Sequence, residues 1–277
     1  VKITLWGTRG SLASPGPETV GYGGNTACVE LRAENGAIVI LDAGTGVRRL
    51  GATLAGGAAR INILLTHLHV DHIQGLGFFA PLFEPRREIH IWGPPSTTMG
   101  LRGRLARYLS PPLFPVPLRE LPCDLTLHDV PFMPFSVQGL TVFASLICHP
   151  GPSVGYRIQE GSRVLAYLPD HEPALGARKF PGPTDWLSGY EIAAGADLLI
   201  HDAQYTDEEY AARQGWGHSS ITQTVQFAMA CNVKHLVSFH HDPDHSDDTL
   251  DRISSDLAKQ ELPFAFSPGW EGESFDL

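Results

Sequence analysis

The segment Ile61-Asn62-Ile63-Leu64-Leu65-Thr66-His67-Leu68-His69-Val70-Asp71-His72 limits this chain more than any other. Its first half is the apolar run expected of a strand buried on both faces. Its second half crowds three histidines and an aspartate onto the end of that strand. Buried imidazole and carboxylate groups need partners, so such crowding without a ligand is costly. Imidazole nitrogen and carboxylate oxygen together suit Zn²⁺, Mn²⁺ or Fe²⁺. On a tight turn, His67 and His69 can address one cation while Asp71 and His72 reach a second.

Further strands are predicted at Val1–Trp6, Ala27–Arg32, Ala37–Leu41, Glu88–Trp92, Thr141–Cys148, Ser153–Ile158, Arg163–Leu168, Asp197–His201 and Leu236–Phe239. Helical spacing is found in Thr45–Gly56, Thr97–Tyr108, Ser219–Cys231 and Leu250–Glu261. Ser110–Pro122 holds five prolines and reads as an ordered, irregular loop. No linker, repeat or low-complexity tract interrupts the chain. The expectation is one layered α/β domain over residues 1–277.

The balance of 30 acidic against 20 basic residues gives a net charge of −10. That argues against a protein gripping nucleic acid through backbone phosphates, which requires clustered Lys and Arg. A small phosphorylated substrate is still compatible, because a bound metal brings its own charge. The longest apolar runs are strand-sized, so no membrane span is expected. Val1–Trp6 reads as a strand rather than a secretory signal. Cys28, Cys123, Cys148 and Cys231 form no C-x-x-C pair, which suits reduced thiols and a cytoplasmic location.

His-x-His-x-Asp-His after a buried strand resembles the signature of the metallo-β-lactamase fold hydrolases. Later positions extend the resemblance: His149 in Cys-His-Pro-Gly, Asp170 in Tyr-Leu-Pro-Asp, and His240 at the end of Leu236–Phe239. It runs from Val1 to about Asp248 and implies an αββα four-layer sandwich. It also implies a dinuclear centre of two divalent ions, with zinc first and manganese or iron as alternatives. His67, His69 and His149 would hold one ion, and Asp71, His72 and His240 the other, with Asp170 bridging. His241 competes with His240 for the last place, and the strand-end position favours His240.

Within that superfamily the chain looks more like the phosphodiesterase branch, which includes ribonuclease Z, class II cyclic-nucleotide phosphodiesterases and the cyclic-phosphate diesterase of phosphonate breakdown. The similarity lies in Gly7-Thr8-Arg9-Gly10-Ser11, Gly23-Gly24-Asn25-Thr26, His201-Asp202-Ala203 and Gly217-His218-Ser219-Ser220. It implies attack on phosphorus by a hydroxide held between the metals. Asp71 would orient groups through its second oxygen, and His218, polarised by Asp202, would protonate the leaving oxygen.

The expected substrate is a small or cyclic phosphodiester. Transfer RNA is disfavoured, because the stretch from Asp170 to Asp202 is too short for the protruding arm of ribonuclease Z. A lactonase or thioesterase on the same metals is the alternative, and a di-iron redox module is a third reading. Residues 97–122, and Arg102–Pro117 in particular, form a Pro-rich candidate lid, walled by Tyr108 and Phe114. Arg102, Arg104 and Arg107 read as a solvated helix face before they read as substrate contacts. Arg9, Ser11 and Asn25 read as turn-formers, and His171, His201 and His245 as supporting or surface groups. Cys148 reads as core, and His90 and His128 receive no role. Similar proteins are commonly homodimers, though nothing in the sequence marks an interface.

Overall fold

The computed structural model describes residues 1–277 except 58, 178–179 and 181–183. Six strands build most of a first sheet: β1 (Lys2–Gly7), β2 (Cys28–Arg32), β3 (Ile38–Leu41), β4 (Ile61–Leu64), β5 (Glu88–Gly93) and β6 (Asp124–Asp129). A second sheet follows in β7 (Phe135–Val137), β8 (Leu140–Leu146), β9 (Val154–Glu160), β10 (Arg163–Leu168), β11 (Leu198–Asp202), β12 (His235–Phe239) and β13 (Ala265–Pro268). β14 (Ser274–Asp276) then returns to the first sheet beside β1. The strand orders are β14-β1-β2-β3-β4-β5-β6 and β13-β12-β11-β10-β9-β8-β7.

Each sheet has a parallel half. β3 to β6 run parallel in one, and β10 to β13 in the other. Strands covered on both faces should be apolar throughout, and β3 is: Val39 and Leu41 face the space between the sheets, Ile38 and Ile40 the opposite side. Seven α-helices lie among the described residues: α1 (Val47–Leu54), α2 (Val70–Ile73), α3 (Leu101–Tyr108), α4 (Tyr190–Ala193), α5 (Asp207–Ala211), α6 (Ile221–Ala230) and α7 (Asp247–Ala258).

Three apolar cores result. One lies between the sheets around Leu5, Leu31, Tyr156 and Val237. A second holds α1 and α3 to the first sheet through Leu50 and Leu105. The third holds α4, α6 and α7 to the second sheet through Ile192, Phe227 and Leu257. Helix, sheet, sheet and helix make the four-layer αββα sandwich. A fully buried leucine such as Leu50 contributes roughly 1.5–3 kcal/mol by leaving water.

Four strands are absent from the sequence reading: β6, β7, β13 and β14. All four are sheet-edge strands; β7, β13 and β14 span only three or four residues, too few for a period-two signal, and β6 alternates but is mostly polar. Helix bounds also shift. α3 starts at Leu101 rather than Thr97, and α6 starts at Ile221, capped by Ser220 in a reciprocal capping box with Gln223. The Pro-rich stretch after α3 is tied down by Leu109, Phe114, Leu118 and Leu121, all buried on the first sheet. Part of the Asp170–Asp202 stretch lies outside the described residues. No helix among the described residues is long and apolar enough to cross a membrane.

Candidate metal centre

In sheets with parallel strands, ligands gather at the carboxyl ends of the strands. Here His67 comes three residues after β4, His149 three after β8, Asp170 two after β10 and His240 directly after β12. One atom from each of His67, His69, His149 and Asp170 lies within 4.8 Å of the others, and the same holds for Asp71, His72, Asp170 and His240. Asp170 belongs to both groups. Its carboxylate is 3.0 Å from His72 Nε2, 3.3 Å from His240 Nε2, 3.6 Å from His67 Nε2 and 3.7 Å from His149 Nε2. Asp71 Oδ2 lies 3.2 Å from His72 Nε2 and 3.3 Å from His240 Nε2, and accepts from the Ser11 backbone N–H at 2.9 Å.

The outer nitrogen of each buried imidazole is held by a hydrogen bond. His72 Nδ1 donates to Asp42 Oδ2 at 2.9 Å, His149 Nδ1 to the Gly217 carbonyl at 2.8 Å, and His240 Nδ1 to Gln204 Oε1 at 3.2 Å. Thr66 Oγ1 gives its proton to Asp42 and accepts from His67 Nδ1 at 3.1 Å. These bonds put the protons outside and turn four Nε2 lone pairs inward. Lone pairs facing one another need a cation. His67 Nε2 is buried with no hydrogen-bond partner among the described residues, and His72 Nε2 and His240 Nε2 lie 3.4 Å apart. His69 Nδ1 is 3.1 Å from His149 Nε2. Nitrogen and oxygen donors so arranged fit divalent cations.

The electrostatics of His67, His149 and Asp170 agree, whereas His72 holds a proton that a bound cation would displace. Burial, reinforced by the charge of neighbouring imidazoles, holds His67 well below the usual histidine range and brings His149 down to about 4. Both are therefore neutral, as ligands must be. Burial alone would raise Asp170, but His240, His72 and His67 outweigh it and hold the carboxyl well below its ordinary value. His72 goes the opposite way: burial opposes its charge, and Asp170, Asp71 and Asp42 raise it well above the usual range.

Asp42 and Gln204 are contributors the sequence reading did not single out. Asp42 is fully buried at the end of β3, and besides Thr66 and His72 it accepts from the Tyr167 hydroxyl at 3.0 Å. Its φ of 57° is left-handed, an uncommon state for a non-glycine residue, and His240 shares it with φ 60°. The one available signal was a lone acid closing the apolar run Ile38–Leu41. The turn after β12 sends His240 into the cluster and His241 away from it, where His241 Nε2 donates to the Gly269 carbonyl at 2.7 Å. Gly10 presses on the His240 ring, and a Cβ there would stand 2.2 Å from His240 Nδ1. Gly10 itself is fixed by donating to the His241 carbonyl at 2.9 Å.

Next to this cluster, His218 Nδ1 donates to Asp202 Oδ2 at 2.7 Å, and the same nitrogen is 4.0 Å from Asp170. The His218 ring stacks on that of His240, with centroids 5.0 Å apart. Burial disfavours its charge, but Asp202, with help from Asp170 and Asp71, brings His218 up to about 9. Asp202 also accepts from the backbone N–H groups of His171, Gln204 and Ser219. His171 and His201 are fully buried behind it, hydrogen-bonded to each other at 2.9 Å.

The remaining residues lie apart from the centre. Arg9 is fully buried and ties three loops together, donating to the carbonyls of Gly23, Asp242 and His245. Asn25 bonds Glu271, and His245 bonds Glu209. Cys148 is half-buried and lies past the end of β8 rather than in the core. His90 and His128 pair with each other across β5 and β6 at 2.8 Å.

Residues 38–241 match the family model described as a beta-lactamase superfamily domain. An uncharacterized protein of Mycobacterium leprae is 30% identical, over 100% of this chain and 89% of its own. A ribonuclease Z of Gemmatimonas aurantiaca is 27% identical, over 78% of this chain and 80% of its own. Among solved structures, human tRNase Z, short form, superposes with a TM-score of 0.66 at 24% identity, over 100% of this chain and 99% of the other. The chain belongs to the beta-lactamase superfamily and is a metal-dependent hydrolase of the metallo-β-lactamase fold.

Proposed function

We propose that this protein is a phosphodiesterase acting on a small or cyclic phosphodiester with two divalent cations, zinc first. His67, His69 and His149 would hold one cation, Asp71, His72 and His240 the other, and Asp170 both. When bound, the cations supply a nucleophile from water near neutral pH and offset charge on the phosphoryl oxygens.

The chain's own groups do the rest. Asp42, Thr66, Gln204 and the Gly217 carbonyl keep the imidazoles aimed inward. Asp71, anchored by the Ser11 N–H, orients groups through its carboxylate. The leaving oxygen needs a proton, and His218, held by Asp202, is the donor, a role worth roughly 10²–10⁴ in rate. One observation carries the reading: a histidine hydrogen-bonded to a buried acid at 2.7 Å stands beside the carboxylate common to both ligand groups. An alkoxide leaving group uses such a donor and a thiolate does not, which favours an oxygen ester over a thioester.

The support for one domain over residues 1–277 is that both sheets contribute ligands and β14 closes on β1. To test the function, the purified protein is stripped of metal, reloaded, and assayed in parallel on bis(p-nitrophenyl) phosphate, cyclic nucleotides, precursor transfer RNA and lactones. Metal-dependent turnover of the diesters is the expected result. Turnover of lactones alone would overturn the reading, and turnover confined to precursor transfer RNA would overturn its small-substrate part.

A further inference from the structure

Two adjoining cavities of about 360 and 350 Å³ open on the outer side of α2 and share Val70, Gln74 and Tyr108. Volumes of this size fall in the range of ligand sites. Val70 separates His69 from Asp71 in the chain, so the cavities begin at the flank of the centre. Their walls are apolar and exposed: Val70 is 67%, Phe78 63% and Leu113 70% accessible. Large apolar side chains rarely gather in water without a binding role. The walls are also held in place. Phe78 meets Phe114 edge-on at 6.0 Å, and the Tyr108 hydroxyl donates to the Gln74 carbonyl.

Charge identifies the occupant. Among the described residues the linings include Arg48, Arg104 and Arg107 and no Asp or Glu, in a chain with 30 acidic residues against 20 basic ones. Arg104 is partly occupied by the Pro94 carbonyl and Asp129, whereas Arg48 and Arg107 are exposed. An apolar groove rimmed by guanidinium groups complements a flat ring carried on an anion, through stacking and cation–π contact. The rim also disfavours a second copy of the chain here, since a twofold contact would bring the arginines toward their own kind.

We propose that this groove selects phosphodiesters whose non-leaving side carries an aromatic or heteroaromatic ring. The proposal rests on the phosphodiesterase reading and adds a specificity determinant to it.

Bis(p-nitrophenyl) phosphate and methyl p-nitrophenyl phosphate expel the same leaving group and differ in whether aryl or methyl stays on phosphorus. The zinc-loaded protein is compared on the two, together with Leu113→Ser and Arg107→Gln, both at exposed positions. Each variant is expected to lower the aryl-to-methyl ratio of kcat/KM by about fivefold, mainly through KM. Ratios unchanged in both variants overturn the groove while turnover upholds the phosphodiesterase reading. No turnover of either diester removes both. Sedimentation in parallel reports the other occupant: a dimer that Leu113→Ser dissociates, with the ratio intact, assigns the patch to a second copy and overturns the inference.

Discussion

The two halves of the proposed centre are built differently. His67, His69 and His149 share a single carboxylate, Asp170, and His69 is exposed. Asp71, His72 and His240 are all buried and add a second carboxylate, with Asp42 behind His72 as a third. One half is open and charge-poor, the other closed and charge-rich. Carboxylates attract a dication and burial slows its escape, so the closed half should hold its metal tighter. The open half is then the side on which substrate meets a cation.

The most severe way to break this contrast is to remove what the halves share. Asp170→Asn is expected to lower metal content in both and cut turnover by at least about 10³-fold, on the scale of losing a preorganised transition-state charge contact. Elemental analysis beside the diester assay checks it, and a variant that loses metal from one half only would contradict the bridging role. Next comes His218→Ala, expected to lower kcat on cyclic nucleotides, whose leaving alkoxide needs the proton, by roughly 10²–10⁴ with metal content intact. If its metal content also fell, the side chain would be a ligand rather than a proton donor.

A smaller effect separates the halves directly. Asp42→Asn should weaken the closed half about 10–100-fold, the usual scale for a residue that orients a ligand. Removal of metal by a chelator should proceed in a fast and a slow phase in the parent protein, and this variant should accelerate only the slow one. The smallest effect lies outside the centre. Burial pushes Glu273 up to about 7, opposite to Asp170, and leaves its Oε2 without a hydrogen-bond partner among the described residues. The folded state therefore binds more protons than the unfolded state between about pH 4.5 and 7, and this group's contribution to stability falls as pH rises through that window. Glu273→Gln should flatten the slope by no more than about 1 kcal/mol, once screening of a half-exposed group is allowed for. Denaturation midpoints across that pH range would show it.

The proposed ligands were legible for different reasons. His67, His69, Asp71 and His72 form a local run at the end of an apolar strand, which periodicity alone isolates. His149, Asp170 and His240 are distant in sequence and came from resemblance combined with their positions just past strands. Asp42 and Gln204 act across 30 and 36 positions on His72 and His240, and no local pattern records such contacts. Arg9 could be assigned to a turn, but its complete burial depends on carbonyls more than 200 positions away. The layered fold was readable in the buried strands of both sheets. β14 was not, because three residues become a strand only when β1 offers them an edge.

The glycine at position 10 gives the amino terminus an unexpected duty. The ring of His240, the last of the clustered imidazoles, is moulded against a turn laid down more than two hundred residues before it. A fragment trimmed of its first dozen residues would still carry the His-x-His-x-Asp-His run and every later donor. It would nonetheless lack the surface that seats the final ring, so shortening this chain from the front should disable the end of the polypeptide where the cut was not made.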